Sequence, residues 1–282
     1  MSAATATGQL DSGASRAGGT KAGFGHLMLA EWTKIRSVRS TVWTLLLFVV
    51  ITIGLTALLS WLTVSNWTGP RAPGRDARIL ADPVGFIFGA GIGLGQLTIC
   101  VLGVLLMSTE YSTGVIRASL LAVPKRLPML AAKLAVFGVL MLVLAELVAF
   151  GSFFVGSTLL HSKVAVALSD SGVLRATIGA GLYLTVLGLF AVGVGALLRH
   201  TAGAISTVIG IVLVVPILAG LLPGNWGAHV NAYLPEQAGS LIFAVHQTGD
   251  QLLSAWQGFG VLSIWTVLVL VAAGYLLEKR DA

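Results

Sequence analysis

The stretch from residue 134 to residue 160 reads LAVFGVLMLVLAELVAFGSFFVGSTLL, and Glu146 is its one charged residue. Its 27 residues exceed the length that a helix needs to cross the hydrocarbon core of a bilayer, which is about 20 residues. The stretch therefore predicts a transmembrane helix. Apolar stretches of similar length precede and follow it, so this segment indicates the fold class of the whole chain.

The composition agrees with a membrane protein. Of 282 residues, 56% are hydrophobic and 10% are charged, and the mean hydropathy is +0.93. Soluble domains carry about 25% charged residues. We predict an all-α integral membrane protein, with a disordered tail at 1–25 and one transmembrane domain at 26–282. Its six transmembrane helices are predicted at 42–64, 84–107, 134–160, 173–198, 201–222 and 258–277.

A basic, proline-containing segment joins the second and third predicted spans. It runs from 110 to 133 and reads EYSTGVIRASLLAVPKRLPMLAAK. Ser112 or Thr113 can cap a short helix, and Pro124 would end it, which predicts a helix over about 113–123. The alternative is an ordinary basic loop. A short helix joined to two spans could transmit a displacement rigidly to both.

The first organised element is predicted at 26–41, where apolar residues recur at helical spacing. Trp32 lies on the apolar side, and Lys34, Arg36 and Arg39 fall largely off it. A basic amphipathic helix of this kind is typical of the membrane interface. The alternative is a basic flank that only fixes the topology.

The distribution of Lys and Arg predicts the orientation. With the N-terminus inside, twelve of these residues fall in cytoplasmic segments and five in outside segments. Positive residues concentrate on the cytoplasmic side of membrane proteins. We predict a multi-pass protein of the cell membrane with both termini cytoplasmic. The net charge of +6 does not indicate nucleic-acid binding, because no basic face with interleaved aromatic residues exists outside the spans.

Motifs for catalysis or nucleotide binding are missing from the sequence. No lysine follows a glycine, so the phosphate-binding motif GxxxxGK[ST] is absent. The five histidines are scattered and have no metal-ligand spacing. We therefore predict no intrinsic catalytic site, no bound metal and no cofactor held by this chain.

Glu146 is the one acid deep in a predicted span. A carboxylate at this depth is costly and usually faces the interior of a helix bundle. It could contact a transported substrate or a proton, or it could be a structural acid that packs against another helix. The structural interpretation is favoured, because its neighbours include small residues.

Two further patterns concern packing. Gly85, Gly89 and Gly93 have small-xxx-small spacing, overlapped by Gly91 and Gly95, and this spacing lets helix backbones approach closely. In the semi-polar stretch 223–257, Pro235 could begin a short helix that does not span the membrane.

Three segments together resemble the ABC-2 type transporter permeases, especially the actinobacterial kind. They are LAEWTKIRSVRSTVWTLLL at 29–47, the 110–133 segment, and NAYLPEQAG at 231–239. The resemblance implies a coupling helix between spans two and three that docks on a separately encoded ATP-binding subunit. It also implies a homodimer or heterodimer of permeases, with ATP and Mg²⁺ bound by the partner ATPases. The positions that match the family's loop pattern are Glu110, Gly114, Arg117, Pro124, Arg126 and Lys133.

The sequence thus favours the membrane subunit of an ATP-driven exporter. Two alternatives stay open: an ion- or proton-coupled secondary transporter, and a membrane anchor or immunity protein that transports nothing. A secondary transporter would need intramembrane charges and broken helices in repeated positions. The sequence offers one such acid and no convincing inverted repeat.

Overall fold

The computed structural model describes residues 23–69, 74–114, 126–223, 225–245 and 251–279. These residues form helices and connecting loops, with no β-strand among them. The α-helices in chain order are α1 (Phe24–Ser37), α2 (Arg39–Ser65), α3 (Arg75–Ala81), α4 (Pro83–Ser112), α5 (Arg126–Leu160), α6 (Val173–Leu198), α7 (Thr201–Ile209), α8 (Val215–Gly220), α9 (Trp226–Ala232), α10 (Pro235–Ser240) and α11 (Ala255–Lys279).

Six helical stretches are long and apolar enough to cross a membrane: α2, α4, α5, α6, the stretch Thr201–Gly220 and α11. The all-helical class and the six predicted spans are therefore confirmed at the level of length and composition. Two helices are longer than predicted, because α4 continues through Ser112 and α5 begins at Arg126. Hydropathy marks the apolar part of a helix, whereas backbone hydrogen bonding continues into its polar ends.

Helix α6 is the most buried of the six and packs against α4, α5 and α11. Its contact with α4 is close enough for backbone atoms to meet. A Cβ placed on Gly103 would lie 2.6 Å from the carbonyl oxygen of Gly188, and one on Gly195 would lie 2.9 Å from that of Val104. Small residues permit such contacts between apolar helices. α6 therefore forms the centre of the bundle.

The predicted glycine contact on α4 is made by the overlapping set of residues. A Cβ on Gly91 or Gly95 would collide with Thr52 of α2, whereas Gly89 and Gly93 have no atom of the described chain within 4 Å of that position. Gly85 faces Asp82, which caps the same helix by accepting a bond from the Gly85 amide. Among the described residues, Gly91 and Gly95 therefore make the contact with α2, whereas Gly85, Gly89 and Gly93 contact no other helix, and a packing role for them stays a prediction. Both sets have four-residue spacing, and the rotation of α4 selects Gly91 and Gly95.

The buried face of α2 is polar, which the sequence analysis did not identify. Thr52, Thr56, Ser60 and Thr63 are all buried and follow helical spacing. The Thr56 hydroxyl donates to the carbonyl oxygen of Ile87 on α4 at 3.2 Å. The Thr52 hydroxyl donates to the carbonyl oxygen of Phe48 at 2.8 Å, whereas the buried Ser60 hydroxyl has no partner among the described residues. Small hydroxyl side chains suit helix contacts in membranes, because they allow close packing.

The fifth predicted span contains a break. Residues Gly210–Val214 form a π-helical turn between α7 and α8, and Pro216 is the second residue of α8. Proline has no N–H to donate to the preceding turn, and its ring crowds the carbonyl four residues earlier. A wider π-type turn at this point relieves that crowding.

The prediction of a short helix beginning at Pro235 is confirmed by α10, which continues as a 3₁₀ turn over Leu241–Phe243. Arg175 at the start of α6 fixes the end of this turn by donating to the carbonyl oxygens of Ile242 and Ala244, at 3.0 and 2.9 Å. The helix α9 adds a second short element to the same region. Residues 225–245 therefore form short helices that pack on the bundle.

The connection between the first two predicted spans contains the helix α3. Asp76 in its first turn is buried and accepts hydrogen bonds from the Thr68 amide at 2.8 Å, the Thr68 hydroxyl at 2.9 Å and the Gly69 amide at 3.1 Å. These bonds to the ionised carboxylate, that from the Thr68 amide first, hold its pKa below the ordinary value of 3.8.

This shift predicts a pH dependence. Because the pKa is lowered in the folded state, the stability contributed by Asp76 is complete above pH 3.8 and declines as the pH falls through the lowered pKa. Thermal unfolding of the wild type and of Asp76→Asn should therefore differ at pH 7 and converge towards pH 3. A difference that stayed constant over this range would contradict the assignment.

The predicted amphipathic helix at 26–41 is two elements. α1 ends at Ser37, and Val38 has an extended backbone with φ −82° and ψ 106° before α2 begins. Arg39 therefore belongs to α2 and not to the first helix. Ile35 is buried, whereas Trp32 is 46% exposed. The location of α1 at a membrane interface stays a prediction.

Candidate functional site

A cluster of four charged side chains joins three helices. It consists of Glu31 and Lys34 from α1, Glu110 from α4 and Lys133 from α5, and we call it the charge cluster. The Lys133 ammonium group lies 2.5 Å from Glu31 Oε2 and 2.5 Å from Glu110 Oε1. Lys34 also forms an ion pair with Glu110. The charges alternate in the order Glu31, Lys133, Glu110, Lys34.

Lys133 is fully buried and Glu110 is 3% exposed, whereas Lys34 reaches the surface. An isolated charge in such a place is very unfavourable, so burial is tolerated because each charge has an opposite partner. The pairs also fix geometry, since α1 is held against both α4 and α5. Residues 115–125, which connect α4 to α5, lie outside the described residues. The ion pair between Glu110 and Lys133 holds the two helices that flank them together.

Two arginines hold the C-terminal end of α11 at the same end of the bundle. Arg126 at the start of α5 donates to the carbonyl oxygen of Leu277 at 2.8 Å, and Arg199 donates to that of Leu276 at 3.3 Å. The Arg199 guanidinium also lies 4.9 Å from the centre of the Tyr111 ring. Cations at a helix C-terminus satisfy its last carbonyls and the negative end of its dipole.

These contacts place α1, the end of α4, the start of α5 and the end of α11 together. The described residues on either side of 115–125 therefore lie at the same end of the bundle as α1 and the end of α11. The identity of that side as cytoplasmic stays a prediction.

The structure separates the residues that were predicted to couple to a partner. Glu110 and Lys133 face the interior, so their side chains are not part of an exposed docking surface. Arg126 is tied to α11. Arg117 and Pro124 lie outside the described residues.

Gly114 marks the end of α4. It has φ +70°, and its amide donates to the carbonyl oxygen of Tyr111 at 3.3 Å. A residue of this conformation commonly ends a helix and is usually glycine. The prediction that Ser112 or Thr113 begins a new helix is corrected here, since Ser112 is the last residue of α4 and Thr113 is its C-terminal cap.

Glu146 is remote from the charge cluster. A Cβ added to Gly181 of α6 would collide with its carboxyl group, so the acid packs against a glycine of the central helix. Its buried Oε2 has no hydrogen-bond partner among the described residues. The favoured structural interpretation agrees with this packing, and a role in a substrate path stays a prediction.

A second polar contact was not identified from the sequence. The hydroxyl of Tyr183 in α6 is fully buried and donates to Gln96 Oε1 of α4 at 2.5 Å. Gln96 also hydrogen-bonds Glu236 of α10, whose pKa is raised by burial. The segment NAYLPEQAG thus places one carboxyl group over the centre of the bundle. A single Gln and Tyr inside apolar stretches gave no pattern that could pair them.

A cavity of about 510 Å³ lies between the α1–α2 junction and the last turns of α4. Lys34 and Glu110 of the charge cluster form part of its wall. The remaining lining residues are Ile35, Val38, Ser40, Thr41, Thr44, Leu102, Leu105, Leu106, Thr109 and Thr113.

No group of three or more potential metal ligands occurs in the described parts of the chain. The sequence matches no family model, and no curated protein is significantly similar to it. The function is therefore argued from the residues and their geometry.

Proposed function

We propose that this chain is the permease subunit of an ATP-driven exporter of the ABC-2 type, which moves a substrate across the cell membrane when a separate ATP-binding subunit acts on it. In this proposal the chain carries no catalytic site, and ATP and Mg²⁺ bind the partner. A second permease, identical or different, completes the complex.

The observation that carries the proposal is the fixation of both ends of the 115–125 segment. Glu110 precedes the segment and Lys133 follows it, and the two side chains form a buried ion pair. A displacement of the segment would therefore act on α4 and α5 together. A loop with loosely held ends would absorb the same displacement through its own flexibility.

The same end of the bundle offers a path to further helices. Arg126 connects the start of α5 to the end of α11, and Arg199 connects the end of α6 to α11 and to Tyr111 of α4. A force applied near Arg126 would reach four of the six long helices through direct contacts. In this proposal Glu110, Arg126 and Lys133 position the coupling segment, while Arg117 and Pro124 belong to the surface that meets the ATPase.

The proposal predicts that loop variants uncouple the complex. Arg117→Ala and Gly114→Val should leave membrane insertion intact but lower transport and permease-stimulated ATP hydrolysis. Coupling energies of about 1–3 kcal/mol correspond to about 5- to 150-fold effects. Gly114→Asn is the matched control, since asparagine tolerates the left-handed backbone that valine does not.

The measurement requires co-expression of this chain with a candidate ATP-binding subunit, sought in the neighbouring reading frames, followed by extraction in detergent. We expect the ATPase to co-purify with the wild type and to be lost when the 110–133 segment is scrambled at constant charge. Normal transport by the scrambled variant would refute the proposal. Transport that persists with a catalytically inactive ATPase but stops when the proton gradient is collapsed would instead identify a secondary transporter.

A further inference from the structure

The cavity beside the charge cluster has two chemically different parts. Its wall on α4 is apolar and consists of Leu102, Leu105 and Leu106. Its opposite wall comes from the junction of α1 and α2 and contains Ile35 and Val38. Lys34 and Glu110, which form an ion pair, lie in the wall as well, and threonine and serine hydroxyl groups line both sides. We call this space the elbow groove.

The position of the elbow groove suits a molecule with one polar end. α2 begins at Arg39 and continues as an uncharged apolar helix, so the groove lies where the predicted span meets its polar flank. Beyond the groove, α2 exposes Trp43 and Val50, which are 71% and 66% exposed. Large exposed apolar side chains on a membrane-spanning helix face lipid, so the groove is continuous with a lipid-facing surface.

The charges around the groove favour an anion. Arg36 and Arg39 follow the lining residues Ile35 and Val38 in the chain and lie at the rim, outside the lining itself. Both are exposed, and neither has an ion pair among the described residues. The two carboxylates nearby, Glu31 and Glu110, are already paired with Lys133 and Lys34. Around the junction there are therefore four cations, Lys34, Arg36, Arg39 and Lys133, and two carboxylates, Glu31 and Glu110. Exposed basic residues at this depth attract the headgroups of anionic lipids.

We propose that the elbow groove binds one anionic phospholipid of the surrounding membrane. An acyl chain lies along Leu102, Leu105 and Leu106, and the phosphate group lies near Arg36 and Arg39. The hydroxyl groups of Ser40 and Thr41 offer donors to the headgroup. The bound lipid fills a space that would otherwise separate the α1–α2 junction from α4. This inference does not depend on the proposed function.

The test uses the full chain, purified in detergent and exchanged into mixed micelles with equal amounts of dioleoylphosphatidylglycerol and dioleoylphosphatidylcholine. Native mass spectrometry counts the lipids retained by each chain. We expect one phosphatidylglycerol to be retained in preference to phosphatidylcholine. Arg36→Gln combined with Arg39→Gln should lower that preference by about thirtyfold, since each arginine near an anionic headgroup contributes about fivefold.

Two further variants test the location. Leu106→Trp, which fills the groove, should lower retention of both lipids. Arg78→Gln removes an exposed arginine from α3 at the other end of the bundle and should change nothing. Glycerol 3-phosphate at millimolar concentration should not displace the lipid, because it lacks the acyl chain.

Three results would overturn the inference. One is equal retention of the two lipids by the wild type, and another is a loss with Arg78→Gln as large as that with the two groove arginines. The third is displacement by glycerol 3-phosphate, which would assign the site to a free phosphate. If Leu106→Trp does not fold, the arginine variants still decide the question, since both side chains are exposed.

Discussion

Replacing Lys133 with methionine is expected to lower the free energy of unfolding by about 3 kcal/mol, because it leaves the largely buried Glu31 carboxylate without its partner and removes one of the two partners of Glu110. Glu110 would keep its pair with Lys34, but Glu31 would lose the partner that the structure gives it. The change nearly conserves side-chain volume, so the loss reports charge and not a cavity. Thermal unfolding in detergent, followed by tryptophan fluorescence, measures it.

Lys163→Met is the matched control, since Lys163 is an exposed lysine in the connection between α5 and α6. It should alter the unfolding temperature little. A second variant that combines Lys133→Met with Glu31→Gln should recover part of the stability, because it removes the carboxylate that Lys133→Met leaves without a partner. If Lys133→Met unfolds at the same temperature as Lys163→Met, the charge cluster does not hold the three helices together.

Gly91→Ala is expected to destabilise the protein by about 1–3 kcal/mol, the usual cost of inserting a methyl group into a fully packed contact. The added Cβ would collide with the backbone carbonyl of Thr52 and with the hydroxyl of Thr56. A side chain could rotate away, but a helix backbone cannot move without separating α2 from α4. Unfolding in a denaturant series at constant detergent concentration measures the difference.

Gly93→Ala is the matched control for Gly91→Ala. It places the same methyl group on the same helix, two residues away, where no atom of the described chain lies within 4 Å. Because alanine favours helix over glycine by about 1 kcal/mol, this variant should be neutral or slightly more stable. Equal destabilisation by the two substitutions would show that α2 and α4 do not pack through Gly91.

Much of the helical architecture could be predicted because it depends on local sequence. The apolar stretches marked all six long helices, and Pro235 marked the start of α10. The helix α3 was missed, and α4 and α5 extend beyond the predicted spans, since polar residues have no hydropathy signal. Gly114 was placed inside a predicted helix, but its left-handed backbone instead ends α4.

The candidate site could be predicted only as a set of loop positions. Glu110 and Lys133 were selected as parts of a family-like pattern, which says nothing about where their side chains point. Their pairing with each other and with α1 joins residues as far apart in sequence as Glu31 and Lys133. The contact between Gln96 and Tyr183 likewise joins two helices that are remote in the chain. No periodicity in one segment can specify such a pair.

The sequence alone determined that this chain is helical and has six stretches able to cross a membrane, because transfer into a bilayer is favoured by the summed apolarity of one continuous stretch. The tertiary structure decided which side of each helix is buried. For this reason Gly91 contacts α2 while Gly93 does not, and Lys133 is buried. Which side is buried depends on the rotation of each helix about its own axis. Because lipid is as apolar as the helix surface, hydrophobicity does not set this rotation, and the close packing and ion pairs with neighbouring helices do.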